Sequence, residues 1–115
     1  MTAVLTVLYD ERCALCRRVR GWLAEQPKYV PMDFVAAGSA EARRRFRELD
    51  HDATLEELSV VGSGGEVYRG AKAWVMCLWA LKRYRSAALR LSGPAMLPRA
   101  RRLVAWVSKN RLRFG

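Results

Sequence analysis

The sequence predicts an α/β domain in which two cysteines stand where the first strand gives way to the first helix. Three observations predict it. A β-favouring run, Val4-Leu5-Thr6-Val7-Leu8-Tyr9, leads directly into a helical pattern. Strand-like and helix-like segments then alternate along the chain, as in a layered α/β architecture. The chain is also large and apolar enough for a core of its own. It has 115 residues and is 51% hydrophobic, and a chain of that size buries roughly two-thirds of the surface its unfolded form exposes. One domain over residues 1–115 is expected, with a core of about 3–85 and a helical C-terminal extension of about 86–115.

The elements follow in order. After the first strand, Asp10 to Arg12 turn the chain, and a helix runs from about Cys13 to Gln26. Leu15, Val19, Trp22 and Leu23 share one of its faces, and Pro27 ends it. Tyr29 to Ala36 reads as a second strand, and Pro31 places it at a sheet edge or marks its start. Ser39 caps a second helix, Ala40 to about Leu49, whose basic run Arg43-Arg44-Arg45-Arg47 is a solvated face. Asp50 to Leu58 is a connection with room for one helical turn. Ser59-Val60-Val61 and Glu66-Val67-Tyr68-Arg69, joined by Gly62-Ser63-Gly64-Gly65, form a hairpin. Past Gly70, Ala71 to about Tyr84 is a strongly apolar helix. Shorter helical stretches around Pro94 and Pro98 close the chain.

The order is β-α-β-α-β-β-α with a helical tail. The crossover helix makes the first two strands parallel, and the hairpin adds an antiparallel pair. This is the pattern of a minimal thioredoxin-like core.

Cys13-Ala14-Leu15-Cys16 is a C-x-x-C at the strand-to-helix junction. A helix start offers free N–H groups and the positive end of the dipole. Both favour a thiolate, the reactive form of cysteine. Arg12, Arg17 and Arg18 add positive charge nearby. Cys13 is therefore the expected nucleophile, which requires it to be accessible. Cys16, one turn on, is the expected resolving thiol. A structural disulfide would close too short a loop to gain much. A zinc site would need Cys77 and His51 to converge on the pair. No metal or organic cofactor is expected.

The stretch from Tyr9 to Cys16 resembles the D-x-x-C-x-x-C signature of the DCC family of thiol–disulfide oxidoreductases. Gly65-Glu66-Val67-Tyr68-Arg69-Gly70 and Ala73 resemble that family's hairpin and following helix. Trp106-Val107-Ser108-Lys109-Asn110-Arg111 resembles its C-terminal pattern, which closes on an Asn-Arg pair. The resemblance implies a thioredoxin-like fold and a redox role for Cys13 and Cys16. It implies no particular substrate. Thioredoxins proper carry a cis-proline before the third strand. Here that place is Glu57-Leu58-Ser59, where a cis bond without proline would cost about 2.5–4 kcal/mol, so trans peptides are expected.

Asp10, three residues before Cys13, has two readings. It serves the turn or caps the helix, or it accepts a proton from Cys16, its charge opposing that of the arginines. Tyr9, Arg12 and Arg17 flank the site. Cys77 reads as an inert core residue and His51 as a surface residue. Trp22, Trp74, Trp79 and Trp106 lie at apolar helix positions, where packing is the default. Trp74 and Trp79 are also candidates to border the dithiol.

Charge is uneven. Residues 1–66 carry 9 Lys/Arg against 11 Asp/Glu, whereas residues 67–115 carry 12 Lys/Arg and no acid. The basic half suggests an anionic partner: a membrane surface, an acidic protein or nucleic acid. No nucleic-acid motif accompanies it. The tail is expected to be an amphipathic helix that packs Leu103 and Trp106 on the core. No apolar run reaches the roughly 18 residues of a membrane span, and the N-terminus has no signal-peptide pattern. Few cysteines, in odd number, favour a reducing, cytoplasmic setting. Two functions follow. One is a dithiol enzyme acting on a protein or small-molecule thiol or disulfide, recharged by a reducing partner. The other is a non-catalytic binding module that uses the basic face.

Overall fold

A computed structural model describes residues 4–110. Four strands form one sheet: β1 (Leu5–Tyr9), β2 (Met32–Ala36), β3 (Ser59–Val61) and β4 (Val67–Arg69), in the order β2-β1-β3-β4. β1 runs parallel to β2 and antiparallel to β3, and β3 and β4 are antiparallel. The helices are α1 (Ala14–Glu25), α2 (Ala40–Arg45), α3 (His51–Glu56), α4 (Ala71–Ala80), α5 (Arg85–Leu91) and α6 (Leu97–Asn110). This is a mixed α/β fold with the thioredoxin-like core expected from the strand order.

β1 is apolar almost throughout because both sheet faces are covered. Its side chains alternate. Leu5 and Val7 join Val60, Leu23, Ala73, Cys77 and Ala80 on the face covered by α1 and α4. Leu8 joins Val35, Val61 and Ala42 on the other face, closed by Phe46, Leu49 and Leu55. The junction after β1 is thereby fixed from both sides.

The element ends differ from the sequence expectation where tertiary bonds intervene. The second strand starts at Met32, with the Pro31 carbonyl accepting from Leu5 N–H at 3.0 Å, and β2 lies at the sheet edge. α2 stops at Arg45, four residues early, because Phe46 leaves the helix to enter the core cluster. The 50–58 connection holds α3, capped by the Asp50 carboxylate, which accepts from Ala53 N–H. α4 stops at Ala80 rather than Tyr84. There the chain turns extended at Leu81 and bridges Lys28, while the Ala80 carbonyl accepts from Tyr29 N–H at 2.8 Å.

Two glycines earn their places. Gly65 turns the hairpin at φ +90°, and Gly70 opens α4 at φ +59°. Both are backbone conformations that side chains disfavour. Ala3, where the expected core begins, and Arg111, the end of the expected Asn-Arg pair, lie outside the described residues.

Candidate active site

The site grows from the end of β1. Asp10 ends the strand's run and turns the chain: its Oδ1 accepts from Arg12 N–H at 3.0 Å, and its carbonyl accepts from Cys13 N–H at 3.2 Å. The turn delivers Cys13 to the N-cap of α1. There its backbone is extended and its Sγ accepts from Cys16 N–H at 3.3 Å. A thiol thus occupies the position that Ser, Thr, Asp or Asn usually hold at a helix start. Its sulfur meets a backbone donor at the positive end of the helix.

The two cysteines differ in exposure. Cys13 is only 1% exposed, whereas Cys16 is half-buried and lines a cavity of about 50 Å³. This departs from the expectation of an accessible Cys13. The cause is its capping role, which turns Sγ back over the first turn of α1. The cavity is mostly apolar. Leu15, Val19 and Leu23 of α1, Trp74 of α4 and Val107 of α6 face it, and Asp10, Arg20, Thr54 and Glu57 add polar groups to its lining. Its volume suits a few water molecules rather than a peptide, each water needing roughly 10–15 Å³.

The DCC1-like thiol-disulfide oxidoreductase family model matches residues 7–115. The chain belongs to that family. Neither a search of curated proteins nor one of solved structures returned a match. The match takes in the dithiol turn of this DCC1-like chain, the hairpin and the whole of α6.

The remaining candidates fall into two groups. Asp10, Tyr9 and Cys16 meet at the cavity. Tyr9 also stacks beneath Arg20, whose guanidinium lies 5.6 Å from the Tyr9 ring and 5.3 Å from that of Phe34. Arg12 and Arg17 engage the turn. Arg12 Nε lies 3.4 Å from Asp10 Oδ1, and Arg17 Nη1 donates to the Glu11 carbonyl at 2.6 Å. Asp10 takes the turn role, but Cys13, not Asp10, is the helix cap.

Trp74 borders the dithiol cavity. Trp79 does not, and stacks instead under Arg85 at 4.2 Å. The peptides of residues 57–59 are trans. Among the described residues no cluster of His, Cys, Asp or Glu could hold a metal. Cys77 is fully buried in the core, and burial pushes its thiol up to about 12.

Two expectations are corrected. His51 is buried rather than exposed, because it opens α3 against the core; its Nε2 lies 2.9 Å from the Phe46 carbonyl. Leu103 and Trp106 of α6 are exposed rather than buried on the core. Leu97, Ala100, Val104 and Val107 form the inward stripe instead. That stripe repeats at the i, i+3, i+4 spacing of a helix face over the helix's full length, whereas Leu103 and Trp106 are two residues among arginines.

Glu57, Thr54 and Val107 were not singled out from sequence. The position of Glu57 just before β3 is where a thioredoxin-like chain approaches its dithiol, and that was the available signal. Val107 stood in the C-terminal stretch that resembles the family pattern, which did not tie it to the dithiol.

Proposed function

We propose that the chain is a thiol–disulfide oxidoreductase that works through Cys13 and Cys16, within a single domain and in a reducing, cytoplasmic setting. One observation carries the reading. A thiol at a helix N-cap receives the N–H of a second cysteine one turn on, and that second cysteine opens on an apolar cavity. The arrangement sets a backbone N–H beside the Cys13 sulfur, at the helix end where unpaired donors gather.

The exchange balances as follows. Cys13 Sγ first leaves its buried capping position, and its thiolate then attacks one sulfur of a substrate disulfide. The Cys13–substrate bond forms, the substrate S–S bond breaks, and the first substrate thiolate leaves to take up a proton. Cys16 then gives up its proton and attacks Cys13 Sγ, releasing the second substrate thiolate. The substrate gains two electrons and the dithiol becomes a disulfide. A reducing partner returns two electrons by the same steps in reverse. Asp10 and Glu57 are the carboxylates that line the cavity with Cys16, and the Cys16 proton is assigned to one of them. The substrate is a protein or small-molecule disulfide.

The exposure of Cys16 favours a second order of events, in which Cys16 attacks first and Cys13 resolves. Trapping separates the two. Each single variant is incubated with oxidised glutathione and examined by mass spectrometry. A stable mixed disulfide in Cys16→Ser and not in Cys13→Ser is the expected result. The reverse pattern assigns the attack to Cys16. Adducts in neither variant overturn the enzyme reading in favour of a binding module.

A further inference from the structure

We infer that the outward face of α6 docks on anionic phospholipid bilayers. α6 has two apolar stripes, one facing inward and one largely exposed. Val104 and Val107 turn inward, and α6 packs on α4. On the other side Leu103 is 63% exposed and Trp106 56% exposed, with Met96 exposed immediately before the helix.

Leu103 and Trp106 are three residues apart and share a face. Arg99 precedes Leu103 by four residues, Arg102 precedes Trp106 by four, and Lys109 follows Trp106 by three; all three cations are exposed. Apolar side chains are therefore ringed by cations, and no acidic residue occurs after Glu66.

This combination selects the occupant. A helix with Trp and Leu on one face and Lys or Arg beside them lies in the plane of a bilayer surface. Its apolar groups enter the boundary of the acyl chains, and its cations meet lipid phosphates. Trp suits that boundary because one end is apolar and the other polar. The arginine stems reach along the apolar surface while their charges stay at the phosphates. A nucleic acid would use the cations and leave Leu103 unused. Docking leaves Val104 and Val107 in place, so it needs no rearrangement. It does not involve Cys13 or Cys16 and stands apart from the exchange chemistry.

The test is co-sedimentation of the full chain with vesicles of phosphatidylcholine, alone or mixed with phosphatidylglycerol. Binding is expected only to the mixed vesicles. It should fall steeply as salt rises from about 0.1 to about 1 M, over which the Debye length drops from about 10 to about 3 Å. Leu103→Glu should weaken it by about tenfold or more, the factor for one leucine that no longer buries. Because Leu103 is exposed, that variant keeps its fold; circular dichroism checks this, and Leu103→Ser is the milder substitute. Absence of binding to mixed vesicles overturns the inference, and so does equal binding to both compositions. Full binding by either Leu103 variant would also overturn it, since charge alone would then be at work, as for nucleic acid or an acidic protein.

Discussion

Cys16 and Cys77 sit on helices that cover the same face of the sheet, yet their surroundings are opposite. Cys16 lies in the first turn of α1, half-buried, with its backbone N–H committed to Cys13 and a cavity beside it. Cys77 lies in the middle of α4, enclosed by Leu5, Val7, Leu23 and Val60 of the same core cluster. A helix start supplies donors and an opening. A helix interior supplies only desolvation, which holds the Cys77 thiol protonated. Position along the helix, not residue type, sets these two cysteine environments apart.

The largest effect expected from this contrast is on disulfide exchange. Cys13→Ser or Cys16→Ser should lower turnover by several orders of magnitude, because members of a catalytic pair act as a unit. Cys77→Ala should leave turnover unchanged. An insulin-reduction or glutathione-coupled assay reads both. Comparable losses at Cys77 would break the comparison.

Stability carries the next effect. Cys77→Ser places a hydroxyl where a thiol packed and should cost about 1–3 kcal/mol, measured by urea unfolding. The pH dependence has a definite sign. The folded Cys77 thiol keeps its proton up to about 12, whereas in the unfolded chain it ionises near 8.5. Its contribution is fully present below about 8.5. Above that the unfolded state binds fewer protons, and stability falls by up to about 1.4 kcal/mol per pH unit until the folded value is reached. Cys77→Ala should remove this component of the alkaline slope. An unchanged slope would show that other groups produce it.

The same contrast explains what the sequence allowed one to read. The dithiol's position was legible because it is local: an apolar strand, a turn and a helix start lie within Leu5 to Cys16. The hairpin was legible because its glycines supply a backbone conformation that few other residues accept. The burial of Cys13 was not, since capping by its own sulfur is a matter of rotamer, which spacing does not report. The cavity was not either, because Thr54 and Glu57, Trp74, and Val107 reach it from three separate segments. The facing of α6 failed for a different reason. Residues 103, 104, 106 and 107 are all apolar, so periodicity supports two stripes about equally, and the choice rests on which one meets α4.

The smallest effect concerns Asp10, where a local and a chemical role can be told apart. Asp10 is buried, while the side chain of its partner Arg12 is 74% exposed. An ion pair so open to water contributes at most about 1 kcal/mol, and Arg12→Ala should cost no more than that. The bond from Arg12 N–H to Oδ1 is another matter, because it shapes the turn that delivers Cys13. Asp10→Asn keeps an oxygen acceptor there, so stability should change by less than about 0.5 kcal/mol, as for replacements away from a lost cap or network. Asp10→Ala deletes the acceptor and should cost about 1 kcal/mol. Exchange kinetics then separate the roles. If Asp10 only shapes the turn, Asp10→Asn retains the exchange rate that Asp10→Ala loses. A slow but fully stable Asp10→Asn would instead assign Asp10 the Cys16 proton, since asparagine preserves the turn and cannot accept a proton.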